Sequence, residues 1–384
     1  METPLLYRQL QDQLRQWVTP KDQRHLQGFA EILAAILQSG SACLGKWIPY
    51  LSHRGCQARA HLERLSYFLH NQQISAEQFY EPILRHVLAA FAGGPVLLTL
   101  DTSMLWDQFC LIEVCFVWGG RSFTLAQVVI EHGSATVGFD QYQTVLQCAK
   151  RVLPPCCQVT LLADRGFEHG NLIHWLEQQN WSWAIRVKSD LKITLSNGCT
   201  QSVEQLFPPE AQAYLFENVQ VLDGIACHLV TAKVPHTKDN WAVLSDQSPS
   251  LQTFALYGKR FGGIEPHFKD YKSAAFNVLQ SGLRTAQALT CLFMLLDCAS
   301  LIALMLGMML VQAGERSRLD WHGERGLSFL QLGLRELSRL CYERLSLPKL
   351  LALPNTNPLP GCASLRKRDG LDCRIEFSKV VRFS

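Results

Sequence analysis

The sequence predicts a mixed α/β protein in which helices pack on a central sheet. In the middle of the chain, short apolar segments typical of strands alternate with amphipathic segments typical of helices. Turn residues such as Gly119-Gly120 and Pro154-Pro155 separate these segments. The chain has 384 residues and is 48% hydrophobic, which is enough to bury a large core and excludes wholesale disorder.

The first 93 residues are predicted to be helical, and Ser75 is a candidate N-cap. The candidate helices are Leu5–Trp17, Gln23–Leu37, Ala42–Leu51, Ala58–Phe68 and Ala76–Ala90. Basic side chains lie on or beside the fourth of them, namely Arg54, Arg59, His61 and Arg64. This strip fits a DNA-reading helix of helix-turn-helix type and fits a solvated helix face equally well.

The next part of the chain is predicted to build the sheet. Its candidate strands are Val96–Leu100, Cys110–Trp118, Ser122–Glu131, Gln158–Ala163 and Trp181–Val187, and its candidate helices are Phe139–Val152 and His169–Gln179. Gly119-Gly120-Arg121 predicts a tight hairpin between the second and third strands. This order favours a mixed sheet covered by helices.

Two acids follow apolar strands, Asp101 in LLTLDTS and Asp164 in LLADRGF. Ligands of open α/β sheets bind beyond the carboxyl ends of strands, so both carboxylates are expected at one edge of the sheet. Two close carboxylates repel each other unless a cation lies between them, and Mg²⁺ is the natural candidate. The alternative is that each acid is a cap or turn residue after its strand.

A third acid, Glu265, lies among cationic and aromatic side chains. A helix is predicted to begin there, after a break at Gly262-Gly263. Glu265, Lys269 and Lys272 are spaced to share one face of that helix. Taken alone, this stretch also fits a solvated ladder of salt bridges.

With these three acids, the sequence resembles the DDE transposases of bacterial insertion sequences, specifically the group with a Tyr-Arg-Glu-Lys signature. The resemblance covers roughly residues 20–310 and identifies Asp101, Asp164 and Glu265 as the catalytic acids. Tyr257, Arg260 and Lys272 match the rest of the signature. Four residues separate Arg260 from Glu265 where the signature has three, so Gly262-Gly263 contains a one-residue insertion.

The resemblance implies an RNase H-like core, interrupted by a β-rich insertion at residues 189–250. Candidate strands there are Lys192–Leu195, Tyr214–Val221, Ile225–Lys233 and Trp241–Ser245. In relatives of this kind an insertion tryptophan stacks on a flipped base, and Trp241 matches that position. The alternative for Trp241 is a core aromatic of the small β-region.

The resemblance also implies a mechanism. The three acids would hold two Mg²⁺ ions, for which Mn²⁺ can substitute, and the site would cleave and join DNA strands at the ends of an insertion sequence. Tyr257, Arg260 and Lys272 would contact DNA phosphates beside the cut, and Lys269, Arg165 and Trp241 complete the expected DNA-binding set. The expected partners are double-stranded DNA, as transposon ends and target, and a second copy of the chain on that DNA. The alternative function is that of a catalytically inactive DNA-binding protein derived from a transposase.

Charge and cysteine content agree with these expectations. The net charge is +3, with an acidic centre between basic ends, as suits flanks that bind a polyanion. The 14 cysteines include no CxxC pair, and the polar N-terminus is unlike a secretory signal, so a cytoplasmic location is expected. The apolar run Ala288–Val311 contains Asp297, which favours a buried helix pair broken near Asp297–Ser300 or Gly307 over a membrane span.

The domain organisation expected from the sequence has five parts. They are a helical DNA-binding region at 1–93, the first part of the core at 94–188, the β-rich insertion at 189–250, the second part of the core with the glutamate helix at 251–312, and a basic helical C-terminal region and tail at 313–384.

Overall fold

The structure is a computed structural model that describes residues 5–52, 55–222, 224–233, 240–323, 325–355 and 377–384, with the backbone alone at 261, 262, 273 and 274. The described helices are α1 (Leu5–Trp17), α2 (Gln23–Ser39), α3 (Leu44–Trp47), α4 (Ala58–His70), α5 (Ala76–Phe79), α6 (Glu81–Val87), α7 (Phe139–Val152), α8 (Gly170–Gln178), α9 (Leu251–Lys269), α10 (Ala286–Gln312) and α11 (Phe329–Tyr342). The described strands are β1 (Pro95–Leu105), β2 (Phe109–Trp118), β3 (Arg121–Glu131), β4 (Gln158–Ala163), β5 (Ser182–Arg186), β6 (Lys192–Thr194), β7 (Thr200–Ser202), β8 (Gln212–Val221), β9 (Ile225–Lys233), β10 (Asn240–Ser245) and β11 (Lys379–Phe383).

The strands form one mixed sheet in the order β3-β2-β1-β4-β5-β10-β9-β8-β6-β7, with β11 paired to β8. The pairs β3–β2 and β2–β1 are antiparallel, whereas β1–β4 and β4–β5 are parallel. The predicted mixed α/β class is therefore confirmed. Each predicted strand and helix of the central part is present to within a few residues, apart from the longer β1.

The strands of the predicted β-rich insertion continue the same sheet. β10 pairs with β5 in antiparallel fashion, so β6–β10 extend the sheet beyond its first five strands. The last residues, which were predicted to be a mobile tail, instead form β11 and pair in parallel with β8. Phe383 of β11 stacks on Phe216 of β8 at 4.6 Å between ring centroids.

The N-terminal helices agree with the sequence except at the third and the last. In place of the helix predicted at Ala42–Leu51, α3 is followed by a 3-10 turn, Ile48–Tyr50. Ser75 caps α5 by accepting a hydrogen bond from the Gln78 amide at 3.4 Å, as predicted. The single helix predicted over 76–90 is instead α5, α6 and a 3-10 turn, with Pro82 in the first turn of α6. Proline fits the first turn of a helix but lacks the amide that a continuous helix would need there.

The predicted basic strip is only partly exposed. His61 is buried, and Arg64 forms an ion pair at 3.1 Å with the buried carboxylate of Glu31. Arg59 is exposed and pairs with Glu63 at 3.0 Å, whereas Arg54 lies outside the described residues. Arg366-Lys367-Arg368, a basic cluster in the predicted C-terminal tail, also lies outside them.

α10 is one continuous helix of 27 residues, so the predicted break near Asp297 or Gly307 is wrong. It is long and apolar enough to cross a membrane, yet 89% of its most apolar window is buried within the fold. Gly307 lies inside the helix, where the backbone of α11 packs so closely that there is no room for a side chain. Asp297 is tolerated in this core because the Tyr271 hydroxyl donates a hydrogen bond to it.

α9 begins at Leu251 and runs through Gly262-Gly263, so the predicted break and the predicted start at Glu265 are both wrong. The reason is close packing on the β2–β3 hairpin. A Cβ on Gly263 would lie 3.3 Å from Val117, and the Gly263 carbonyl accepts a hydrogen bond from Ser122 at 3.0 Å. α9 ends at Lys269 and is followed directly by a π-helical turn, Asp270–Ala274.

Candidate active site

Asp101 and Asp164 lie side by side on neighbouring strands. Leu100 of β1 pairs with Ala163 of β4, so the next residue on each strand is one of the two acids. Asp164 follows the end of β4, as predicted. Asp101 does not end its strand, because β1 runs on to Leu105 by pairing with β2. The two acids therefore mark the point where the parallel pairing ends.

The alternation of side chains along strands turns both acids toward α9. Leu162 of β4 packs in the apolar cluster beneath α9, whereas Leu161 belongs to the main core. Asp164 is two residues after Leu162 and shares its side of the sheet. In β1, Leu97 packs on the same cluster and Leu98 belongs to the main core, so Asp101 also lies on the α9 side.

Arg260 of α9 joins the two carboxylates. Its Nη2 lies 2.6 Å from Asp101 Oδ2 and 3.8 Å from Asp164 Oδ2. The Arg260 side chain is only 6% exposed, so this contact is shielded from solvent. The structure thus places the guanidinium on the acids, where the sequence predicted a contact with DNA phosphate.

The remaining carboxylate oxygens bind backbone amides. Asp101 Oδ1 accepts from the Thr102 amide and Asp164 Oδ1 accepts from the Gly166 amide, each at 2.8 Å. Burial raises the pKa of Asp101 to about 6; the charge of Arg260 opposes the rise and that of Asp164 adds to it. Asp164 thus caps the turn Arg165–Phe167, which agrees with the alternative that it is a cap residue after its strand. Its other oxygen still faces Arg260.

Glu265 lies on the same helix as Arg260, five residues further on, and its side chain is exposed. Tyr257, Arg260, Ile264 and His267 form the buried stripe of α9. In a continuous helix each residue turns by about 100°, so the extra residue rotates Glu265 away from this stripe. Ile264 occupies the position that the signature spacing would give to the acid.

Tyr257 lies one turn before Arg260 on α9, and Trp241 of β10 contacts it. Tyr257 is buried, which raises its pKa to about 12. The Trp241 ring of β10 meets the Tyr257 ring edge-on at 5.8 Å, and the Arg186 guanidinium lies 6.0 Å from the Trp241 centroid. Trp241 is half-buried and therefore keeps part of its side chain accessible.

The other predicted DNA contacts are more accessible. Arg165, directly after Asp164, and Lys269, at the end of α9, are exposed. Lys272 is half-buried and lies in the π-helical turn after α9, not on the α9 face predicted for it. The wider π-helical turn changes the direction of its side chain relative to Glu265.

The sequence analysis missed three chemically active side chains next to this site. Glu113 pairs with Asp101 across β1 and β2, Cys115 follows two residues later, and His267 faces both from α9. A signal for Glu113 was present, because a glutamate inside the apolar run Phe109–Trp118 must be buried with a partner.

Comparison with known proteins points to one family. The family model described as a transposase DDE domain matches residues 113–305, about half of the chain, a span that includes Asp164 and Glu265 and begins after Asp101. Among solved structures, the chain is similar to the cryo-EM structure of a piggyBac transposase synaptic complex with hairpin DNA. The TM-score is 0.43 at 11% identity, covering 94% of this chain and 86% of that chain. No curated protein matches. The chain belongs to the transposase DDE domain family.

Proposed function

We propose that this chain is the transposase of a bacterial insertion sequence, of the Tyr-Arg-Glu-Lys group, and that it cleaves and transfers DNA strands at the element's ends. Asp101, Asp164 and Glu265 are the proposed catalytic acids. The observation that carries the proposal is the meeting of Asp101 and Asp164 at one nitrogen of Arg260, within a chain of the transposase DDE domain family.

The order of the first five strands supports an RNase H-like core. Three antiparallel strands, β3-β2-β1, are followed by β4 and β5 in parallel with β1. Asp101 lies on β1, and Asp164 directly follows β4. We assign this core to residues 94–188 and 251–312. The insertion at 189–250 extends its sheet, and the flanking regions 1–93 and 313–384 are the proposed DNA-binding arms.

The two aspartates fit a divalent cation. Both carboxylates face one cationic group, and the raised pKa of Asp101 reflects a buried negative charge beside another. Mg²⁺ prefers carboxylate oxygens, and we propose that Asp101 and Asp164 hold it, with Glu265 as the third ligand. When two such ions are bound, they supply an activated water and neutralise the leaving 3′-oxygen.

The protein groups around the acids position the DNA. Arg165 and Lys269 are exposed and can donate to backbone phosphates, and the half-buried Lys272 is a third proposed phosphate contact. Tyr257 is buried, so its proposed phosphate contact requires that DNA binding expose its hydroxyl. Arg260 offsets part of the charge of the paired aspartates and keeps them at one place. Trp241 offers an aromatic face on which a flipped base can stack. Paired cutting at two ends implies a homodimer on double-stranded DNA.

A second function is favoured by the position of Glu265. This residue is exposed, one helical step away from the stripe that carries Arg260, and Arg260 already offsets part of the charge of the two aspartates. A chain that keeps the fold but does not complete the three-acid site would bind the element's ends without cutting them.

A cleavage assay separates the two functions. The substrate is DNA carrying the inverted repeats that flank this gene, with Mg²⁺ or Mn²⁺, and binding is followed in parallel by gel shift. We expect strand cuts by the wild type that vanish in Asp101→Ala while end binding persists. Asp12→Ala, an exposed aspartate of α1, is the matched control and should cut normally. Binding by the wild type without any cut would favour the inactive protein.

A further inference from the structure

Three buried side chains with different donor atoms converge between the sheet and α9. Glu113 and Cys115 lie on β2, and His267 lies on α9. One ligand atom from each lies within 4.8 Å of the others, and His267 Nε2 is 3.6 Å from Glu113 Oε1. The Glu113 side chain is 0% exposed and that of His267 is 6% exposed. We call this group the β2–α9 cluster.

The periodicity of each element builds the cluster. Glu113 pairs with Asp101 and Cys115 with Thr99, so both lie on the α9 side of the sheet. The β2–β3 pairing shifts between Val114 and Cys115, and this β-bulge brings Thr124 opposite Cys115. Bulges often re-aim side chains near functional sites. His267 follows Arg260 by two helical turns and so faces the sheet.

Hydrogen bonds alone do not satisfy these groups. The Thr124 hydroxyl lies 3.2 Å from Glu113 Oε1, 3.2 Å from His267 Nε2 and 3.3 Å from the Tyr271 hydroxyl. A hydroxyl has one proton to donate. Glu113 Oε2 and Asp297 Oδ2 are buried and have no hydrogen-bond partner among the described residues. Two buried carboxylate oxygens are therefore left without a donor, which is costly without a compensating cation.

We propose that Glu113, Cys115 and His267 bind a zinc ion, distinct from the ions proposed at Asp101 and Asp164. Two buried carboxylates, Glu113 and Asp297, face a single imidazole, so a divalent cation relieves their charge. A set of sulfur, nitrogen and oxygen donors is typical of zinc and unlike the all-oxygen sites of Mg²⁺. Thr124 hydrogen-bonds two of the ligands and orients them.

The proposed ion has a structural consequence. It connects β2 to α9, the helix that carries Arg260 and Glu265. The cluster shares no ligand with the proposed catalytic acids, so its existence does not depend on DNA cleavage. Loss of the ion would loosen α9 on the sheet and would change the position of Arg260 relative to Asp101.

The test measures metal in the full-length chain without any DNA. Zinc content is determined after incubation with zinc and removal of free metal. Cobalt is then bound in place of zinc, because a cysteine ligand produces a near-ultraviolet charge-transfer band that an all-oxygen site does not. The ligand variants are Cys115→Ser and Glu113→Gln. Cys110→Ser is the matched control, since Cys110 is a buried cysteine on the opposite face of the same strand. Asp101→Asn controls for the catalytic site.

We expect about one zinc per chain and the cobalt band in the wild type, in Cys110→Ser and in Asp101→Asn. Cys115→Ser should lose the band and bind zinc at least roughly 100-fold more weakly than the wild type. The loss of a ligand should weaken binding more than the loss of a residue that only orients a ligand. A folded wild-type chain that takes up no zinc and shows no band would overturn the proposal, whatever the variants do. A band that persists unchanged in Cys115→Ser would also overturn it.

Discussion

Arg260 is the residue through which the two aspartates are linked, since one of its nitrogens contacts both carboxylates. Its signature position was evident from the sequence. Its contact with the acids was not, because that contact depends on how α9 crosses the sheet. At the scale of single residues, the sequence thus identified the chemical groups better than their partners.

Trp241 has a proposed stacking role and a packing role that one substitution can separate. Trp241→Ala removes a ring that contacts Tyr257 and lies near Arg186. Stacking on a base contributes about 1–3 kcal/mol, so we expect roughly 10- to 100-fold slower strand processing with end binding unchanged. Trp241→Phe should retain most of the rate. If Trp241→Ala lowers the melting temperature but leaves the rate of processing intact, the residue is a packing residue only.

Asp320 gives a prediction about pH. Burial alone would raise its pKa, but hydrogen bonds from His322, Gly326 and Arg316 together hold the pKa of Asp320 well below its usual range. A lowered pKa contributes stability above the unfolded value of 3.8, and this stability is lost as the pH falls toward the folded value.

Asp320→Asn should therefore lower the free energy of unfolding at pH 7 by about 1.5–3 kcal/mol, since hydrogen bonds to a charged group are lost. Urea denaturation of both proteins at pH 7 and pH 3 measures this, and the gap between them should narrow at pH 3. Asp12→Asn is the control. An equal difference in unfolding free energy at both pH values would show that the ionised carboxylate of Asp320 is not what stabilises the segment between α10 and α11.

At the scale of elements, α10 and α11 cross so closely that backbone meets backbone at two glycines. A Cβ on Gly307 would lie 1.9 Å from the Phe329 carbonyl oxygen, and one on Gly333 would lie 1.7 Å from that of Ala303. Gly333→Ala must push the two helices apart. The expected loss is about 3 kcal/mol of unfolding free energy or more.

Gly258→Ala is the matched control, because a Cβ on this helical glycine of α9 meets nothing within 4 Å. It should be neutral or stabilising by up to about 1 kcal/mol, the helix propensity of alanine over glycine. Denaturation curves of both variants decide the matter. A Gly333→Ala protein as stable as the wild type would mean that α10 and α11 do not approach as closely as described.

The helix breaks wrongly predicted within α9 and α10 share one cause. Gly262-Gly263 was interpreted as a break because glycine often ends helices, yet Gly263 lies within α9 and packs on Val117. Gly307 serves the same purpose between α10 and α11. A glycine selected for close packing and one selected for a turn look alike in a sequence, since the neighbour that requires it is distant along the chain.

At the scale of the whole molecule, local patterns predicted the strands and non-local pairing decided the rest. β2 and β3 were evident from apolar runs around a glycine turn. The extension of β1 past Asp101, the joining of β10 to β5 and the addition of β11 to β8 each depend on strands that meet only in the folded chain. The strand pattern predicted that Asp101 and Asp164 would meet, and the structure brings these two together. The role of all three acids was identified by resemblance.

The most direct test of the whole account is the single-turnover rate of strand cleavage for Asp101→Asn, Asp164→Asn and Glu265→Gln, with Glu131→Gln as an exposed control on β3. If the three acids hold the ions that drive cleavage, each of the three variants loses several kcal/mol of transition-state stabilisation. Its cleavage rate then falls roughly 1000-fold or more while DNA binding persists. Cleavage by Glu265→Gln at the wild-type rate would contradict the three-acid site.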